Sequence, residues 1–172
     1  MAQFLKGENT MKNDMTKICG LVVLLAGLSH PAGAGELKSV TYADIEAPQV
    51  VDIAPAGPSL GDMYMRHGVK RSAPDGPVIG RYFTQAIIVF HDPEKSKVAR
   101  SYFSEQILDD GSIYMTDMVE TIHGRPVDPG HVHEGAVVGG TGKYAGIKGT
   151  YTVEVLDGGT IAKTTISYSL DD

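Results

Sequence analysis

The chain has 172 residues, 42% of them hydrophobic and 21% charged, with a formal net charge of −6. That is a globular composition of one domain, or one domain with a short appendage, and it excludes disordered and collagen-like chains. The acid excess leaves no basic patch for nucleic acid, and one cysteine excludes both an intrachain disulfide framework and a Cys-based zinc site.

Residues 1–34 read as a secretory signal peptide. Lys12 and Lys17 form the positive region, and Ile18 to Leu28 is an unbroken apolar run. Pro31 ends it, and Ala32-Gly33-Ala34 is a small-residue cleavage site. The run is too short to span a bilayer as a helix. Met1, Met11 and Met15 would all start the same signal. Cys19 follows Thr16-Lys17-Ile18, not a lipidation setting. Cleavage near Ala34 is expected to release residues 35–172 as one secreted or periplasmic domain without a stable membrane anchor or a cysteine.

From Gly35 to Leu60 the chain is punctuated by Pro48, Pro55 and Pro58, with short extended stretches at Val40–Ile45 and Val50–Ile53. Strands are then predicted at Met63–Val69, Val78–Phe90, Val98–Leu108, Ser112–Ile122, Glu134–Val138, Ile147–Leu156 and Thr160–Leu170. Pro74-Asp75-Gly76, His91-Asp92-Pro93, Asp109-Asp110-Gly111 and Asp157-Gly158-Gly159 are the turns between them. Gly124 to Gly130 is a Pro-containing loop. Tyr151, Val153 and Val155 share one face of a strand, and Ile166, Tyr168 and Leu170 share another. Phe83 to Phe90 is apolar on both faces and is expected to be buried on both. About eight short strands at regular spacing predict an all-β sandwich or closed barrel.

Val137-Val138-Gly139-Gly140-Thr141-Gly142-Lys143-Tyr144-Ala145-Gly146 is the most distinctive stretch. It is not a phosphate loop. Val137 stands where a P-loop needs glycine, and Tyr144 where it needs Ser or Thr. The following segment reads as strand, whereas a dinucleotide fingerprint opens a helix. A tight turn is the remaining reading.

This stretch, continued to Tyr151, resembles the VVGGTGKF-type turn of dirigent proteins and the GGSGIFEGxYG stretch of allene oxide cyclases. Leu60-Gly61-Asp62 resembles the LGD of the cyclases, and Val78-Ile79-Gly80-Arg81 the VGxxxG strand after it. Pro93-Glu94-Lys95, Arg100-Ser101-Tyr102-Phe103 and Asp109-Asp110-Gly111 resemble the cyclase run PEK…YSFYF…DYG. The likeness runs in order from about Asp52 to Leu170. It implies an eight-stranded antiparallel β-barrel with a small apolar central cavity, commonly a homotrimer, with no metal and no organic cofactor. It also implies an apolar small molecule as partner. Such a barrel acts as a cofactor-free cyclase or isomerase, or as a non-catalytic stereo-directing or carrier protein, by holding a reactive molecule in one conformation.

The plant cyclases carry Glu-x-Asn on the first strand, where this chain has Asp44-Ile45-Glu46. Asp44 and Glu46 are therefore the candidate catalytic carboxylates, against a solvated strand edge. Their setting differs from the cyclases, and substrate identity does not transfer. Asp62 is a candidate turn-former. The cavity-facing set is expected to be Tyr82, Thr84, Ala86, Ile88 and Phe90. Glu105 and Tyr114 are candidate polar ligand contacts, and Arg81, Asp117 and Glu120 are further polar strand residues that face the interior or the surface. His131-Val132-His133, with His123 nearby, offers an alternative: H-x-H on a strand puts two imidazoles on one face, as in a cupin-like metal barrel. Pro129-Gly130 in front of it favours a solvated histidine loop instead.

Overall fold

The computed structural model describes residues 36–53, 55–123 and 129–170. The proposed signal segment and most of the 124–130 loop lie outside them. Among the described residues, nine strands form a single antiparallel system: β1 (Leu37–Asp44), β2 (Gln49–Val51), β3 (Met63–Arg71), β4 (Val78–Asp92), β5 (Lys97–Leu108), β6 (Gly111–Ile122), β7 (Val132–Gly140), β8 (Ile147–Leu156) and β9 (Ile161–Leu170). Their spatial order is β1-β9-β8-β7-β6-β5-β4-β3, and β3 returns to β1 through the pair Tyr42↔Arg71. This closes an eight-stranded barrel. The ninth strand, β2, adds to the same edge of β3 lower down, pairing Gln49–Val51 with Met63–Met65.

The turns follow local chemistry. Leu108 pairs with Gly111, so Asp109-Asp110 is a two-residue hairpin loop. Gly111 has φ +149° and Gly142 φ +59°, conformations that a Cβ resists. The glycine-rich stretch is indeed a tight turn. Thr141 N–H donates to Ser112 O, Ser112 N–H donates to the Thr141 hydroxyl, and Lys143 N–H donates to Asp110 O. A short 3₁₀ turn, Gly142–Tyr144, then drives the Tyr144 side chain into the core.

Strand alternation sorts the residues into an inner and an outer face. At the glycine-turn end the interior is filled by Ile113, Met115, Val137, Tyr144, Ile147, Tyr151 and Ile166. Completely burying an aliphatic side chain of this kind stabilises by roughly 1.5–3 kcal/mol. This apolar plug closes one end of the barrel and leaves the remaining interior as a cavity.

Two local expectations are corrected. Phe83–Phe90 is not buried on both faces. Ala86 and Ile88 are buried, but a bulge between Ile88 and Phe90 interrupts alternation, and Val89 and Phe90 are both about half exposed. The histidine segment is not a loop throughout: β7 begins at Val132, and His133 pairs with Val153 of β8.

Candidate functional site

The cavity has a volume of about 410 Å³. Most wall strands contribute every second residue, and β5 adds Glu105 between Ser104 and Gln106. Arg66 and Lys70 come from β3, Tyr82 and Thr84 from β4, and Tyr102, Ser104 and Gln106 from β5. Met115, Asp117, Val119 and Thr121 come from β6, and His133 from β7, with His131 just before it. Tyr151, Val153 and Val155 of β8 and Ala162 and Thr164 of β9 complete the wall. Ala43, Asp44, Ile45, Gly158 and Gly159 border it as well. The wall is therefore mixed: apolar side chains, as the barrel likeness implied, and a polar set within them.

Asp117 is the centre of that set. Its side chain is 1% exposed, and its Oδ2 lies 3.2 Å from His133 Nε2. Neither carboxylate oxygen meets hydrogen-bond geometry with a donor among the described residues. The His133 ring stacks at 6.4 Å on Tyr102 and lies 6.1 Å from that of His131. Burial pushes the phenol of Tyr151 above its ordinary range, and the neighbouring Asp117 charge pushes it further. Burial likewise raises Tyr102. Both phenols are thus held protonated around a carboxylate. Across the cavity, Arg66 Nε and Gln106 Nε2 are buried donors without a partner among the described residues, while Gln106 Oε1 accepts from the Thr41 hydroxyl at 3.3 Å. Buried polar atoms are normally paired. Arg66 Nε and Gln106 Nε2 are thus donors that a molecule in the cavity could engage.

Lys70 is the second unusual group. It is 5% exposed, its Nζ donates to the Thr164 hydroxyl at 3.0 Å, and it lies 5.5 Å from the centre of the Tyr82 ring. Burial alone pushes its amine down to about 7.

The structure places the expected residues unequally. Tyr82, Thr84 and Glu105 line the cavity, and Asp44 borders it with an exposed side chain. Glu46 is exposed and outside the lining. Ala86 and Ile88 are buried beyond it, where the Ile88 backbone bonds to Gly61 and Asp62. Phe90 is half exposed past the bulge. Tyr114 stacks on Phe103 at 6.1 Å, on the strand face opposite Tyr102, Ser104 and Gln106. Asp62 is the turn-former expected: its carboxylate accepts from Ile53 N–H, Ser59 N–H and the Ser59 hydroxyl. The alternative metal pair, His131 and His133, does reach the cavity. No group of three or more His, Cys, Asp or Glu side chains with metal-holding geometry occurs among the described residues.

Sequence reasoning missed Arg66, Lys70, Tyr102 and Tyr151 as site residues and left Asp117 undecided. A signal existed. Arg66, Gly68 and Lys70 alternate with Met65, His67 and Val69, so one face of this segment carries both cations. In a barrel with a cavity, that face is the inner one.

A family model described as the allene oxide cyclase barrel like domain matches residues 43–167. No curated protein matches the sequence. Solved structures with the same fold include a pyocyanin demethylase, 21% identical, covering 77% of this chain and all of the other, with a TM-score of 0.59. A pterocarpan synthase dirigent protein is 15% identical, covering 80% of this chain and 87% of the other, with a TM-score of 0.58. A Diels Alderase from Streptomyces koyangensis is 12% identical, covering 80% of this chain and 70% of the other, with a TM-score of 0.56.

Proposed function

The chain belongs to the allene oxide cyclase barrel-like family, and we propose that its cavity binds a small, largely apolar molecule with hydrogen-bonding groups and converts it by cofactor-independent acid–base chemistry, as an intramolecular cyclase or isomerase. The observation that carries this reading is the carboxylate of Asp117, buried in the cavity wall with its Oδ2 3.2 Å from His133 Nε2 and the phenol of Tyr151 beside it. A carboxylate of this kind takes a proton from an O–H or activated C–H of the guest. The imidazole beside it, 3.2 Å away, orients the carboxylate and passes the proton on. Arg66 and the phenols of Tyr102 and Tyr151 donate hydrogen bonds to developing negative charge, and the apolar wall fixes the reacting conformer. Asp44, at the cavity border, stays outside this machinery. A Diels Alderase and a dirigent protein on the same fold support ring formation and conformer control as the reaction class.

The proposal extends to export and self-association. The apolar run and cleavage site of residues 1–34 support export to the periplasm or medium. The outer face of β5 and β6 exposes Phe103, Ile107 and Met118, the last at 68%. Exposed apolar side chains on this face support a homo-oligomer, a trimer by family likeness.

Native mass spectrometry of the purified full chain tests the reading. The expected species is an oligomer carrying an organic molecule on the order of a few hundred daltons, the size such cavities take. An Asp117→Asn variant should retain that molecule in its unconverted form. Conversion by Asp117→Asn at the wild-type rate would overturn the acid–base assignment.

A further inference from the structure

Lys70 stands apart from every other lysine in the described structure. Lys97, Lys143 and Lys163 form ion pairs with Glu120, Asp110 and Glu154, all with exposed or half-exposed side chains. Lys70 is buried against the cavity, with the Thr164 hydroxyl as its hydrogen-bond partner and the face of Tyr82 beside it. No carboxylate pairs with it among the described residues. Of the carboxylates that line the cavity among the described residues, Asp44 is exposed, Glu105 is half-buried and Asp117 faces His133. An ammonium taken out of water without an anion is strongly disfavoured, and the group responds by releasing its proton. The neutral amine that results carries a free lone pair, and Thr164 takes up one of its N–H groups and so helps fix where that lone pair points. Desolvated lysines of this kind are nucleophiles toward carbonyl carbon.

We propose that Lys70 is a nucleophilic amine that captures an aldehyde or ketone in the barrel cavity as a reversible imine. The Nζ lone pair attacks the carbonyl carbon, and the C=O π pair moves to oxygen. One amine proton passes to that oxygen, giving a carbinolamine. A second amine proton is lost as the hydroxyl leaves as water, and a C=N bond to Nζ remains. Water reverses each step, and no oxidant or reductant enters. The substrate class named by this site is a small, mainly apolar carbonyl compound. The inference needs only the cavity described above. It stands or falls apart from the acid–base role of Asp117, because imine formation is read as a covalent mass on Lys70 and not as turnover.

The test uses the purified full chain, benzaldehyde as the probe and cyanoborohydride to reduce any imine to a stable secondary amine. Intact mass and peptide mapping then locate the benzyl group. Lys70 should be labelled on the order of ten-fold or more faster than exposed lysines such as Lys38 or Lys97 near neutral pH, because a larger fraction of it is unprotonated. A Lys70→Arg variant should lose that fast label and keep the slow surface labelling. Mapping on the wild-type chain locates the site even where the variant folds poorly. Labelling confined to surface lysines would overturn the proposal. So would saturable binding of benzoate at Lys70 without any benzaldehyde adduct, since that is the behaviour of a protonated amine awaiting an anion.

Discussion

The ring of Tyr82 fills the space that a side chain at position 68 would need: a Cβ on Gly68 would lie 2.7 Å from Tyr82 Cε1. Gly68 and Tyr82 are cross-strand partners of β3 and β4, and Gly68 lies between Arg66 and Lys70 on the inner face. The glycine makes room for the aromatic ring whose face lies 5.5 Å from Lys70 Nζ. Tyr82 in turn donates its hydroxyl to Asp44 O at 3.1 Å. Gly68→Val should cost about 1–3 kcal/mol by overpacking. It should also displace the ring from Lys70, which denaturant unfolding and the rate of benzaldehyde labelling at Lys70 would report together.

Asp117 is expected to separate shape from chemistry. Asp117→Asn keeps the volume and the contact with His133, so its melting temperature should stay within a few degrees of wild type. Conversion of the bound molecule should fall by roughly a hundred-fold or more, the usual contribution of a positioned acid or base. Asp117→Ala also removes the contacts with His133 and Tyr151, and should cost about 1–3 kcal/mol.

The buried amine of Lys70 gives the fold a pH dependence with a definite sign. Its native value is about 7 against an ordinary 10.5. Between those values the unfolded chain binds a proton that the native chain does not, so this contribution to stability rises with pH across that window. Below about 7 the penalty is complete. Lys70→Met removes it, and should be more stable than wild type at pH 6 by on the order of 4 kcal/mol, with the difference vanishing above pH 10. Urea unfolding at pH 6, 8 and 10 measures this directly.

Asp62 should act in the opposite direction. Backbone N–H groups of Ile53 and Ser59 hold its carboxyl below the ordinary 3.8. Stability from that group is present above 3.8 and is lost as pH falls through the lower native value. Asp62→Asn should abolish this acid-limb contribution and lower the melting temperature at neutral pH. It should leave Lys70 labelling intact, since Asp62 sits outside the cavity lining.

Met118 and Phe103 should report assembly. Replacing Met118 by Lys puts a charge on the exposed apolar face of β6. Sedimentation velocity should then show a shift from oligomer to monomer, with the cavity's probe binding preserved. An unchanged sedimentation coefficient would place the interface elsewhere.

The barrel was legible because its turns are written in residue types. Asp109-Asp110-Gly111 and the 139–146 glycines give the hairpin and the cap, and the period-two runs of β8 and β9 give the inner face. The site was less legible for a physical reason. The sequence places Asp117 within a strand and ends an earlier strand at Val69, one residue short of Lys70, and only closure of the sheet decides that both faces look inward. The bulge at Ile88–Phe90 has no signature in the residues themselves, so parity counted from Tyr82 holds through Ile88 and fails at Phe90. Tyr114 needed one further fact, which face of β6 carries Asp117.

β3 shares one edge between two strands, and this gives the wall an uneven strength. β2 holds its first three residues, β1 meets it at the single register pair Tyr42↔Arg71, and Ile45–Pro48 runs between them outside any strand. Every other junction of the barrel is a longer ladder. The seam is also where Ala43, Asp44 and Ile45 border the cavity. Opening it breaks few rungs, so it is the low-cost breathing mode of the cylinder. The strands that face this seam across the barrel are β6 and β7, the former carrying Asp117 and the latter His133.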